Sequence, residues 1–389
     1  MARKQLLKAI NRASILNVIK AHGPIARTDI AELTGLSPAT VTGLTAELIE
    51  DGLILIKEEG DSRGGRRPIL LALDSRGAYV VGIKLAEEHA TLALTDLNAE
   101  IVTKRTVLLG ERDPEHVSRL LADSVRAVLR SAGISQSHLL GVGVGLAGVI
   151  DPQTGVCRVS PHNGWRDVPF AKLLEDELGC IVHLDNNVNT LTRVEQLYGI
   201  GQRVRDFLVI TIGRGIGMGI VANGQVYRGA RGGGGEFGHM VVDPDGMVCG
   251  CGNRGCLETF VAEPWLLHRA RQRGLDVTEP DDLIGAARGG DATALDVLAQ
   301  GGRALGYAVA SVVNLLNPAL ILISGEGVRA GEYLLGPMRE AASQHMFEQL
   351  ADELEIRVEP LSDDTWARGA ASLVLGRIFS VPELEPGLA

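Results

Sequence analysis

Apolar residues recur at near-helical spacing through QLLKAINRASILNVIKA (5–21), at Leu6, Ile10, Ile15 and Ile19, and predict a helix. His22-Gly23-Pro24 stops it. The stretch ARTDIAELTGLSPATVTGLTAELIEDGLI then predicts two short helices around Gly35. Thr28 is placed to cap Asp29–Thr34 and Ser37 to cap Pro38–Glu50, with Pro38 at the first helical position. Leu33, Leu36, Val41, Leu44 and Leu48 are expected to form the small core between them. In LILIKEEGDSRGGRRPILLALD the pattern changes to two strands, Leu53–Lys57 and Pro68–Leu73, joined by a charged, glycine-rich tip.

From about Ala78 the pattern changes again. AYVVGIKLAEEHATLALTDL holds two β-rich runs around a turn, HLLGVGVGLAGVID a buried strand, and DFLVITIGRGIGMGIVANGQVYRG a strand, a glycine turn and a strand. Amphipathic helices are expected between them, over Pro114–Ala132, Pro169–Leu178 and Asn189–Tyr198. Strands alternating with helices predict an α/β domain, and the repeated strand–glycine-turn–strand elements predict two lobes with a cleft. The apolar run ALGYAVASVVNLLNP (304–318) suits either the core of that body or a subunit interface. The expected division is therefore a head, 1–75, and a body, 76–389.

The head has the helix-turn-helix pattern followed by a wing. Small polar residues at its second helix, Ser37, Ala39, Thr40 and Thr42, suit approach to phosphates and base edges, with Arg27 and Thr28 nearby on the first. Arg63, Arg66 and Arg67 on the wing tip suit the phosphate backbone or the minor groove. Charge sharpens this reading. The whole chain has a formal net charge of −10 over 389 residues, yet its first 76 residues hold 11 Lys and Arg against 9 Asp and Glu. A mildly basic head on an acidic body is compatible with a local nucleic-acid site. The N-terminus lacks an apolar signal region, and no apolar run is long enough for a membrane span. An odd total of 5 cysteines makes a poor disulfide framework. The expected compartment is the cytoplasm.

Three of those cysteines cluster in CGCGNRGCLE (249–258), shortly after GEFGHM (235–240). Together these segments resemble the signature of the ROK family of repressors, open reading frames and kinases. GIKLAEE, LDNNVN, TIGRGIGMGI and NPALILISGEG fall where that family keeps its other motifs. The resemblance covers about residues 76–389. It implies an actin-like, ribonuclease-H-like two-lobed fold, following the N-terminal winged helix-turn-helix, and a function as a sugar kinase or a sugar-responsive regulator.

The cluster itself points to a metal. Cys249, Cys251 and Cys256 supply thiolates and His239 an imidazole, the closed Cys3His set of structural Zn2+. Gly250, Gly252 and Gly255 are expected to permit the tight backbone. The competing reading is three free cysteines or a redox pair. A metal here would clamp together two segments that carry Glu236 and Glu258. The resemblance implies that Glu236, His239 and Glu258 contact a sugar, opposite Asn163 and Asn186. Trp165 suits either that neighbourhood or the core.

The family's kinases place a catalytic aspartate directly after the residue matching Asn186. Here that position is Asn187, whose amide is no usable base at neutral pH. Lys84 stands where the kinases have a metal-orienting aspartate, and Ala86-Glu87-Glu88 where they have a phosphate turn. Arg214 and Glu326 interrupt two further glycine runs. The expectation is a sugar-responsive repressor of carbohydrate-metabolism genes with Asn187 among its sugar contacts and no catalytic residue. Its expected partners are operator DNA, a neutral sugar such as xylose or glucose, and copies of itself, as a dimer or dimer of dimers. The rival is a sugar kinase with a DNA-binding head.

Overall fold

A computed structural model describes residues 2–59, 69–361 and 363–379. The head begins with the helix Ala2–His22, whose buried Ile15, Leu16 and Ile19 close its core. The helices Arg27–Thr34 and Pro38–Glu50 follow, separated by a left-handed Gly35. Ser37 caps the second as expected, its hydroxyl accepting from the Thr40 N–H at 3.2 Å.

Two expectations for the head fail. Thr28 does not cap the first short helix, which starts one residue before it at Arg27. The cause is the short strand Ile25–Ala26, which pairs with Leu70 and Leu71 and delivers an extended Ala26 directly into the helix. Thr28 donates instead to Asp29 at 3.2 Å. Leu33 is 55% exposed, and Ile30, one turn earlier, is the buried residue of that helix alongside Val41, Leu44 and Leu48. Strands Ile54–Glu59 and Ile69–Leu73 pair antiparallel at the base of the wing.

Beyond the head lie two five-stranded sheets of the same design. In the first, Tyr79–Leu85, His89–Thr95 and Ile101–Leu108 form an antiparallel meander. Its opening strand also pairs in parallel with Leu139–Leu146, beside which runs Val182–Asn186. In the second, Phe207–Ile212, Ile216–Ala222 and Gln225–Tyr227 form the meander. Its opening strand pairs in parallel with Leu320–Ser324, and that with Glu355–Val358. Almost every position of the central strands is buried, as sheets covered on both faces require.

Contacts divide the chain into two units. One holds the residues up to Gly148, Pro152–Asp185 and the chain from Ala367; the other holds Val149–Asp151 and Asn186–Trp366. The first therefore contains the head together with the first sheet. Its sheet accepts the C-terminal helix Asp363–Phe379 at close range, because a Cβ on Gly82 would stand 1.9 Å from the Ala367 carbonyl oxygen, and one on Gly143 would stand 1.8 Å from that of Ala370.

Of three expected helices, two change their start. Pro114–Ala132 is as expected, capped by Asp113. The next helix starts at Phe170, with Pro169 as its cap. The third starts at Asn187, two residues earlier than expected, because Asn186 takes the capping position. Trp165 is core: its indole N–H donates to the Arg112 carbonyl at 2.7 Å and its ring lies 4.6 Å from that of Phe170. All but the last two residues of the run 304–318 belong to a 25-residue helix, Ala292–Leu316, with Ala304, Leu305, Ala308, Val309, Val312 and Val313 in the second unit's core. Tyr307 and Leu315 on the same helix are exposed. Among the described residues no helix is long and apolar enough to cross a membrane.

Candidate metal centre and carboxylate site

The second unit assembles the cysteine cluster from two backbone segments laced together. The Leu257 N–H donates to the Met240 carbonyl at 2.8 Å and the Val242 N–H to that of Gly255 at 2.9 Å. Within the loop, Cys249 N–H bonds the Asn253 carbonyl at 2.7 Å and Gly252 N–H that of Cys249 at 2.9 Å. Gly255 is required here: it is left-handed, and a Cβ on it would stand 1.5 Å from the Asp243 carbonyl oxygen. Gly252 is also left-handed, whereas a Cβ on Gly250 would meet nothing, so the expectation for that glycine fails.

This lacing brings one donor atom each from His239, Cys249, Cys251 and Cys256 within 4.8 Å of one another. Cys249 Sγ is 3.6 Å from His239 Nδ1, and Cys251 Sγ is 3.7 Å from Cys256 Sγ. A disulfide would need about 2.05 Å, so these are separate thiols. Burial pushes the Cys256 thiol up to about 12, with the neighbouring Cys251 adding to it.

The outer edge of the imidazole meets an acid. His239 Nε2 lies 4.0 Å from Glu236 Oε2. Burial raises the Glu236 carboxyl above its ordinary range; His239 opposes that and the charge of Glu258 adds to it. Glu258 opens the short helix Glu258–Val261 and its two oxygens face different ways. Oε1 is 3.9 Å from Cys249 Sγ, and Oε2 accepts from the N–H of Ile216, the first residue of the strand Ile216–Ala222, at 3.4 Å. The structure thus brings together Glu236, His239 and Glu258.

The asparagines are placed differently. Asn186 Oδ1 accepts from the Val188 N–H at 2.8 Å as the N-cap of Asn187–Tyr198, and Asn187 Oδ1 accepts from the same N–H at 3.0 Å. Asn163 belongs to the first unit, is buried, and donates to Ser160 Oγ at 2.9 Å. Lys84 is half-buried on a central strand of that unit, paired opposite Thr91 and Gly145.

Sequence reasoning missed where Glu326 reaches. It lies over the turn that follows Phe207–Ile212, with Oε2 2.5 Å from where a Cβ on Gly213 would stand. The interrupted ISGEG run was the available signal.

In the head, Thr28, Ser37, Ala39 and Thr42 are exposed. Thr40 is half-buried, its hydroxyl 2.8 Å from that of Ser37. Arg27 is turned inward, its Nε donating to Thr45 Oγ1 at 2.9 Å. Arg63, Arg66 and Arg67 lie outside the described residues.

Comparison with known proteins gives two domain matches. The ROK family profile matches residues 80–377, and a winged helix-turn-helix DNA-binding profile matches residues 10–54. The putative xylose repressor of Caldicellulosiruptor sp. (strain Rt8B.4) is 32% identical, over 98% of this chain and 100% of its own length. The DNA-binding transcriptional dual regulator NagC of Escherichia coli K12 is 32% identical, over 95% of this chain and 93% of its own. A ROK family transcriptional regulator, homologous to the E. coli MLC protein, has a structure that matches with a TM-score of 0.87 and 27% identity, covering 96% of this chain and 97% of that one. The ROK hexokinase of Thermus thermophilus matches with a TM-score of 0.65 and 29% identity, over 76% of this chain and 97% of its own.

Proposed function

Since the chain belongs to the ROK family, we propose that it is a cytoplasmic DNA-binding transcriptional regulator, a sugar-responsive repressor of carbohydrate-metabolism genes without kinase activity. One observation carries this reading. Likeness to a putative xylose repressor and to a ROK transcriptional regulator covers 98% and 96% of the chain, head included, whereas likeness to the hexokinase covers 76% of it.

The head, 1–75, reads operator DNA through the exposed face of Pro38–Glu50, with Ser37, Ala39, Thr40 and Thr42 nearest the groove. Thr28 and Arg27 support that face, and Arg63, Arg66 and Arg67 of the wing meet phosphate. The body, 76–389, senses the sugar. Carboxylates suit vicinal sugar hydroxyls, and Glu236 and Glu258 supply such acceptors, while the outer Nε2–H of His239 is a donor once Nδ1 holds the metal; the amides of Asn186 and Asn187 join them, and the family resemblance adds Asn163.

The donor set at the cysteine cluster fits structural zinc. A tetrahedral ion with Zn–S bonds of about 2.3 Å needs sulfurs roughly 3.8 Å apart and a nitrogen roughly 3.6 Å from sulfur. The spacings of 3.7 and 3.6 Å agree. His239, Cys249, Cys251 and Cys256 would hold Zn2+ with no open position, so the ion supplies rigidity rather than Lewis-acid chemistry. Binding it would displace the protons that burial holds on Cys256.

Absence of kinase activity rests on Asn187, which offers no base, and on Glu326, whose carboxylate lies against the Gly213 turn and repels phosphate there. A sugar that binds two conformations of the body unequally shifts their populations, and with them operator affinity. A two-fold dimer, or a dimer of dimers, would match a pseudo-palindromic operator. The effector class is a neutral sugar, with xylose and glucose favoured. Calorimetry against an aldose panel, beside a coupled ATP assay with the same sugars, tests the reading: binding without turnover supports it, and turnover supports the kinase.

A further inference from the structure

The helix Pro38–Glu50, PATVTGLTAELIE, contains no Arg, Lys, Asn, Gln or His. Direct reading of base edges in a major groove relies mainly on such long donors, Arg and Lys on guanine, Asn and Gln on adenine. The preceding helix Arg27–Thr34 carries one cation, Arg27, and it is turned inward onto Thr45 Oγ1 at 2.9 Å. Glutamates can accept from cytosine, but both stand towards the far end of the helix. Glu47 pairs with Lys8 of the first helix at 2.8 Å, and Glu50 is the last residue. Between residues 38 and 46 the exposed positions are Pro38, Ala39, Thr42, Gly43 and Ala46.

Gly43 stands in the middle of this face. A glycine inside a helix is destabilising relative to alanine, and the fold has no use for one here. Its backbone is ordinary right-handed helix, and a Cβ on it would meet nothing within 4 Å. Gly82 and Gly143 show the contrast, since a Cβ on either would collide with the backbone of the C-terminal helix. The missing side chain of Gly43 therefore serves a surface outside the molecule that approaches the helix backbone closely. In a DNA-binding head that surface is the floor of the major groove.

Resting on the DNA-binding reading above, we propose that this helix tells bases apart by the methyl group of thymine. Thymine presents a methyl in the major groove, and alanine and threonine methyls pack against it. Ala39, Thr42 and Ala46 supply those contacts, and Gly43 determines specificity by letting the helix sit close enough to make them. Contacts to phosphate hold the DNA in register but carry no base identity.

The test uses the full-length protein and a duplex selected with it from a random library. Thymines of that duplex are replaced one at a time by deoxyuridine, which keeps every hydrogen-bonding group and lacks only the methyl. Affinity should fall about fourfold for each contacted methyl, the worth of one buried methylene-sized group. Gly43→Ala should raise the melting temperature while weakening binding to the selected duplex about tenfold or more. Affinity within twofold of the original after all thymines are replaced overturns the proposal and points to reading by DNA shape alone. A Gly43→Ala protein that binds the duplex as tightly as the wild type overturns the role of Gly43. If selection enriches no sequence and no duplex binds, the DNA-binding reading itself fails and the proposal falls with it.

Discussion

Glu258 accepts a hydrogen bond from the backbone N–H of Ile216 at 3.4 Å, while its other oxygen stands 3.9 Å from Cys249 Sγ. One carboxylate therefore spans the cysteine loop and the start of the strand Ile216–Ala222 in the second sheet. Replacing it should affect more than charge. Glu258→Gln keeps the size of the side chain and removes the anion that a sugar hydroxyl would donate to. Hydrogen bonds to charged groups contribute about 1.5–3 kcal/mol, so calorimetry should show sugar affinity reduced roughly 10- to 150-fold. Unchanged affinity would remove Glu258 from the site.

Cys251 is the exposed member of the cysteine cluster, so Cys251→Ser disturbs little packing. Its expected consequence is loss of zinc by elemental analysis and a lower melting temperature. Chelation should bring the wild-type protein to the same melting temperature. Zinc-free wild-type protein after careful purification would contradict the structural-zinc reading.

Asn187→Asp places a carboxylate where the family resemblance puts the kinases' base. Lys84 stays in place, and Glu326 still faces the Gly213 turn. Neither the wild type nor this variant should transfer phosphate from ATP to an aldose. Turnover at ordinary kinase rates, roughly 1–100 per second, would favour the rival function.

His183 lies on the strand Val182–Asn186, half-buried. Burial, and then the charge of Arg377, push its pKa down to about 4 from the usual 6.5. Above pH 6.5 the ring is neutral in both native and unfolded chains, and the native state loses nothing. As pH falls from 6.5 towards 4 the unfolded chain takes up the proton first, so stability declines across that window. Denaturant midpoints at pH 7 and pH 5 should differ less in His183→Gln than in the wild type. An equal difference in both would rule out this histidine as the cause.

The parts legible in the sequence are those fixed by short spacing. The C-x-C-x4-C run and a histidine ten residues upstream of it define the cluster, and Ser37-Pro38 defines a helix start whose cap is local. Relationships that depend on distant chain were not legible. Asn17 Nδ2 donates to the Phe379 carbonyl at 2.6 Å across 362 positions, and neither residue has an unusual local pattern. The exposure of Leu33 depends on how the first helix closes the core. Asn186 shows a mixed case: its capping geometry follows from the DNNVN run, a local role separate from the sugar contact that the resemblance implies.

Operator binding in the presence of sugar tests the central claim most directly. Fluorescence anisotropy of a selected duplex, titrated with the full-length protein, gives the affinity with and without D-xylose or D-glucose. The account predicts a change of about 5- to 150-fold with a sugar that calorimetry shows to bind. Equal operator affinity with that sugar bound and absent would contradict it.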